Sequence, residues 1–196
     1  VTAEFDPYDD EANLRAAQES VLAERAQARV DRFLARRPAR FATEGTLDPK
    51  VLDWCRRVYK HEAGSLLLVG GIGTGKTWTV WKAAETLTRN GWNGRFDIVD
   101  AYDAKDAMRD RDRETIDRWR EADVLALDDI GAIGLQDWDS DNLHKLVDTR
   151  WKHGRPTVIT SNAEDLKPLL GPRVASRLAD DLTKVALAGA DRRRAR

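Results

Sequence analysis

Cysteine is almost missing from this chain. Cys55 stands alone among 196 residues, which excludes an intrachain disulfide and fits a reducing compartment. Long apolar runs are missing too. Nothing approaches the ~20 residues that a bilayer crossing needs, and Val1-Thr2-Ala3-Glu4-Phe5-Asp6 lacks the basic and then apolar order of a secretory leader. The expectation is a cytoplasmic protein with no membrane partner. Net charge is nearly absent: 33 Lys and Arg against 34 Asp and Glu leave −1, although Arg192, Arg193, Arg194 and Arg196 crowd the end. The length leaves no room for two full domains, only for one sizeable core with a small appendage. What remains is an ordinary globular composition, 41% hydrophobic and 34% charged.

Against that plain background one stretch stands out. Gly70-Gly71-Ile72-Gly73-Thr74-Gly75-Lys76-Thr77 follows the apolar run Leu66 to Val69 and opens a segment with helical spacing from Trp78 to Arg89. The pattern G-x-x-x-x-G-K-[ST] between a strand and a helix is a P-loop. Its glycines let successive backbone N–H groups turn inward around a phosphate, where a Cβ would obstruct them. Lys76 then reaches the β/γ-phosphates, Thr77 offers a hydroxyl to Mg²⁺, and the helix N-terminus adds partial positive charge. Residues 70 to 78 are therefore the expected ATP-binding segment.

A second element completes the site. Asp123 to Gly131 reads as a short apolar strand, Val124 to Leu127, ending in Asp128 and Asp129. Val and Leu runs suit a parallel sheet buried on both faces, whose ligands bind at the C-terminal strand ends. Asp128 is placed to hold Mg²⁺ through water and Asp129 to orient an attacking water. Thr157 to Asn162 is a further strand, and its terminal Asn162 is placed to reach the γ-phosphate or that water.

The rest of the chain gives the frame. Asp9 to Arg37 has strong helix propensity and ends at Pro38. Its loose apolar stripe, Leu14, Val21, Leu22, Val30, Phe33 and Leu34, suits either a partner's groove or one contact with the core. Pro38 to Asp48 reads as a linker, so that a chain beginning near Thr43 is expected to keep its stability. Pro49 to Lys60 has helical spacing, with Trp54 and Tyr59 as core residues or as stacking partners for a base. Arg95 to Asp100 is a strand, and Ala101 to Glu121 is a charged helical region. There, alternating Asp and Arg describe a solvated face, or Arg109, Arg111 and Arg113 line a nucleic-acid path. Trp138 to His153 and Glu164 to Leu170 read as helices, and Thr183 to Ala188 as the fifth strand.

The P-loop, the acidic strand LALDDIG, the run RPTVITSN after a helix carrying Arg150-Trp151, and GPRVASRL near the end occur together and in this order. From about Lys50 onward the chain thus resembles the bacterial and phage helicase loaders of the DnaC/DnaI type within the AAA+ ATPases, a group that also includes the IstB transposition helpers. The resemblance implies a three-layer α/β P-loop fold with a parallel five-stranded sheet, preceded by a helical arm and without a C-terminal lid domain. It divides the chain into an arm with linker, 1–45, and an ATPase domain, 46–196. It makes Asn162 the sensor 1 residue and puts an arginine finger at Arg177, or else Arg173, acting on a neighbouring subunit's nucleotide. The implied function is ATP hydrolysis with Mg²⁺ in an oligomer that grips single-stranded DNA and contacts a replicative helicase. An IstB-like transposition helper, or a nucleotide-gated adaptor with little turnover, are the competing expectations.

Overall fold

A computed structural model of the chain describes residues 10–132 and 140–189. Trp138, the expected start of one helix, and the terminal arginines lie outside the described residues. The strands are β1 (Leu66–Val69), β2 (Phe96–Asp100), β3 (Val124–Asp128), β4 (Thr157–Ser161) and β5 (Thr183–Ala186). They form one parallel sheet in the order β2-β3-β4-β1-β5. The central strands β1, β3 and β4 are buried along their whole length, which explains their unbroken apolar runs.

The two-residue period of a strand then sorts side chains between two cores. Leu66, Leu68, Val124, Ala126 and Val158 pack with α2 (Pro49–Tyr59), α3 (Lys76–Arg89) and Phe33 from the end of α1 (Asp10–Arg36). Leu67, Val69, Leu125, Leu127 and Ile159 face the other way. They meet α4 (Ala101–Arg109), α5 (Arg113–Glu121), α6 (Ser140–Lys152), α7 (Lys167–Leu170) and α8 (Pro172–Leu178). Helices on both faces of a parallel sheet make the three-layer α/β fold that the sequence leads one to expect.

One expectation is sharpened and two change. The charged region 101–121 is two helices, broken where Arg111 takes φ +53° and Asp112 caps α5 by accepting from Thr115 N at 3.1 Å. Segment 38–48 is no free linker. Phe41 stacks on Trp81 with ring planes 11° apart, Trp78 Nε1 donates to Thr43 O at 3.0 Å, and Leu47 is buried. The arm's last turns also pack, since Val30 and Phe33 are buried and Arg37 reaches Glu85 at 2.7 Å. Its first turns do not, with Leu14 60% and Leu22 63% exposed. Partner contact through Val30 and Phe33 is thereby corrected, because the core already covers both.

The N-terminal ends of the strands are fastened by Arg150, which is fully buried in α6. Its guanidinium donates to the carbonyls of Trp119, Ala122 and Pro156 at 2.6 to 2.7 Å and to Thr157 Oγ1 at 3.1 Å. Trp54 is also fully buried, its Nε1 donating to Gly64 O at 2.8 Å, so it fills the core rather than facing a base.

Candidate functional site

The loop after β1 turns back on itself because two glycines take left-handed backbone angles, φ +77° at Gly73 and +98° at Gly75. Gly75 is the N-cap of α3, and a Cβ there would strain a turn whose N–H groups must point inward. At Gly70 the constraint is space: a Cβ would stand 2.4 Å from Leu187 O and 2.7 Å from Thr74 Oγ1. Lys76, buried in the first turn of α3, folds its ammonium over this loop. Nζ donates to Gly70 O at 2.7 Å and Gly71 O at 2.9 Å.

The strand order explains why distant residues meet here. β4 lies between β1 and β3, so its C-terminal end stands between the P-loop and the acidic pair. Asn162, just past that end, accepts from Lys76 Nζ through Oδ1 at 2.7 Å. On its other side β4 presents Thr160, which donates to Asp128 Oδ1 at 2.6 Å and accepts from Asp129 N at 2.7 Å. Asp128 Oδ2 accepts from Thr77 Oγ1 at 2.8 Å, closing a chain of contacts from P-loop to acidic strand. Asp128 is only 8% exposed. Burial pushes its pKa up, with the charges of Asp129 and Asp100 adding to the rise and the bonds from Thr160 and Thr77 opposing it. A desolvated carboxylate beside a hydroxyl, at the mouth of a phosphate-binding loop, is the donor set a hard divalent cation takes. The residues present therefore fit MgATP: Thr77 and Asp128 for the metal, the loop and Lys76 for the phosphates.

Asp129 follows with φ +59°, a left-handed conformation that a non-glycine residue rarely adopts. The bond from its N–H to Thr160 and the one from Ala132 N to its own carbonyl, 2.9 Å, hold it there. The bend turns Asp129 into a cleft of about 800 Å³ that Ile72, Gly73, Gly75, Lys76, Thr77, Trp78, Thr160 and Asn162 also line. Sequence reasoning missed Thr160, whose signal is the polar ending of an otherwise apolar strand. It also missed one wall. Arg40, Phe41, Thr43 and Glu44, from the segment read as a linker, close the cleft on the Trp78 side.

Arg173 and Arg177 are elsewhere. Both lie on α8 and neither lines this cleft. Arg173 is exposed, while Arg177 Nε donates to Asp148 Oδ1 at 2.9 Å and its guanidinium stands 5.2 Å from the centre of the Trp151 ring.

Comparison with known proteins decides the family. The profile of the IstB-like ATP-binding proteins matches residues 14–171. The chain belongs to that family. Its members' AAA+ P-loop fold is also the fold of its structural neighbours. A crystal structure of DnaI superposes with a TM-score of 0.64 at 21% identity, covering 80% of this chain and 94% of the other. The DnaC helicase loader gives 0.63 at 20%, covering 76% and 96%. A crystal structure from Streptococcus pyogenes serotype M3, named as a putative primosome component, gives 0.61 at 25%, covering 73% and 78%. No curated protein matches the chain. The family match begins at residue 14, so it takes in most of α1 as well as the P-loop layers.

Proposed function

We propose that this IstB-like domain hydrolyses ATP with Mg²⁺ and works as a helicase loader, gripping single-stranded DNA in an oligomer and reaching a replicative helicase through the first turns of α1. The observation that carries the reading is the meeting of Lys76, Asn162, Thr77 and Asp128 through hydrogen bonds of 2.7 to 2.8 Å, with Asp129 bent into the same cleft. The metal supplies charge stabilisation of the transferring phosphoryl group. The chain's own residues do the rest. Lys76 neutralises phosphate charge, Thr160 fixes the Asp128–Asp129 bend, Asp129 orients the attacking water, and Asn162 joins that water's side of the cleft to the lysine. Arg177, outside its own chain's cleft, suits a role at a neighbour's nucleotide, with Arg173 as the alternate.

Support for a DNA path comes from a cavity of about 500 Å³ between α5 and α6, lined by Arg111, Arg113, Arg120 and Lys145 together with Asp117 and Asp141. Arg109 is engaged by Asp106 and Asp110, whereas Arg111, Arg113 and Lys145 have no ion pair among the described residues. A transposition helper is the second reading, favoured by the family profile itself.

Partner choice separates the two. A chain that begins at Glu24 keeps Val30, Phe33 and Arg37 against the core but loses the exposed Leu14, Val21 and Leu22. It should retain the melting temperature and ATP affinity of the full chain and lose a replicative helicase in pull-downs. Helicase retained by the shortened chain, or a transposase recovered instead with the full one, overturns the loader reading.

A further inference from the structure

We infer that the outer face of α1 between Arg25 and Arg36 is a docking surface for the phosphate backbone of double-stranded DNA. This goes beyond the reading above, which concerns a single strand, and the surface is separate from the nucleotide cleft. Arg25, Arg29, Arg32 and Arg36 recur at intervals of four, three and four residues, the spacing that stacks side chains on one face of a helix. Arg25, Arg32 and Arg36 are exposed and Arg29 half-buried, on the flank of the face that sinks Val30 and Phe33 into the core.

None of the four meets a carboxylate among the described residues. Arg32 Nε donates to Ala28 O, one turn back on the same helix, at 3.2 Å. Arg36 donates to Phe96 O at 2.8 Å, and the buried Nε of Arg29 has no hydrogen-bond partner among the described residues. The acids of this stretch, Glu24 and Asp31, are seven residues apart and share a different face, where Gln27 donates to Asp31 at 2.8 Å. The contrast with the rest of the molecule is marked. On α3 Glu85 gathers Arg37, Lys82 and Arg89, and on α4 Arg109 is paired twice.

The stripe ends with the helix. Arg36 anchors its last turn to the edge strand β2 through Phe96 O, and beyond it Arg95 and Arg118 are already engaged, both 3.6 Å from Asp97. Guanidinium groups left without acids on a rigid scaffold match phosphate oxygens, which they bind in fork geometry. The stripe from Arg25 to Arg36 is about 16 Å long, beside a duplex that carries a phosphate on each strand about every 3.4 Å of axis. A straight row suits a regular backbone. Surfaces for single strands add aromatic platforms on which bases stack, and between Arg25 and Arg36 the one aromatic residue, Phe33, is buried.

The test uses the full chain, a fluorescent 20-base-pair duplex and the matching single strand, with anisotropy read across a salt series. The variant Arg25→Gln/Arg29→Gln/Arg32→Gln spares Arg36, whose bond to Phe96 O holds the helix end. Duplex affinity should fall about tenfold or more, and the slope of log affinity against log salt should shrink by about 2 to 3. Single-strand affinity, ATP affinity and melting temperature should stay at wild-type values. If the triple variant melts lower, Arg25→Gln/Arg32→Gln, both exposed, replaces it with an expected slope change of about 2. Unchanged duplex binding overturns the inference. So does an equal loss for the single strand, and so does tighter binding of polyglutamate than of the duplex at matched charge and salt, which assigns the face to an acidic protein. Failure of the loader reading looks different: the wild type then ignores single strands whatever the α1 variant does.

Discussion

At the scale of single residues, two buried side chains govern the molecule in different ways. Thr160 uses one hydroxyl twice, donating to Asp128 and accepting from Asp129 N, so it sets the bend that turns Asp129 into the cleft. Replacing it by Val keeps the shape and leaves Asp128 Oδ1 and Asp129 N without this partner, while Asp128 Oδ2 keeps its bond from Thr77. Thr160→Val should cost about 1 to 3 kcal/mol of stability, the desolvation of the orphaned groups. ATP turnover should fall about tenfold or more while ATP affinity holds, because the displaced group acts in the transition state. Urea denaturation and a KM-against-kcat comparison check this, and equal losses in affinity and turnover would contradict it. Arg150 is a structural counterpart. Arg150→Met removes the donor for carbonyls at the ends of α5 and the starts of β3 and β4. Urea unfolding should show a loss of about 3 to 5 kcal/mol, and a loss under 1 kcal/mol would show that water reaches those carbonyls.

At the scale of elements, the junction of α1 and α3 shows where sequence patterns stop being informative. The strands and the P-loop were legible because their signals are local: apolar runs of strand length, glycines at fixed offsets, acids at a strand end. Segment 38–48 carries Pro, Thr and Gly in linker-like density, and its fate depends on Trp78 and Trp81, more than thirty residues away. The same distance hid Arg40, Phe41, Thr43 and Glu44 from any reading of the site. It also hid Glu85, which sits among helix formers yet is buried with Arg37, Lys82 and Arg89 around it. Burial alone would raise its pKa, but hydrogen bonds from Arg89 and Lys82 and the charges of Lys82 and Arg37 outweigh it and hold the carboxyl below its ordinary range. A depressed folded pKa means stability that is fully present above the unfolded value and is lost as pH falls through the folded one. Glu85→Gln should therefore cost about 3 kcal/mol at neutral pH, and the gap to wild type should close in acid, below the ordinary carboxylate range. A gap that stays constant down to that range would mean that packing, not charge, joins α1 to α3.

At the scale of the whole molecule, the parallel sheet puts every candidate phosphate-handling group at one end and leaves Arg173 and Arg177 on α8, away from the cleft. Only the resemblance of GPRVASRL to the loader family makes these two arginines candidates, since no local pattern marks a residue for a cleft that it does not line. Their separation from the cleft makes the account's central claim a statement about assemblies: one copy supplies Asp129, the next supplies Arg177, and ATP turns over between them. The direct measurement is ATP turnover, with single-stranded DNA present, by Asp129→Asn, by Arg177→Ala and by their equal mixture. Each variant alone should bind ATP as the wild type does and hydrolyse almost none. In the mixture, random head-to-tail assembly leaves about a quarter of interfaces with both groups intact, so about a quarter of wild-type turnover should return. A mixture as inactive as its components, although both bind ATP and assemble, or wild-type turnover by Asp129→Asn alone, would contradict the account.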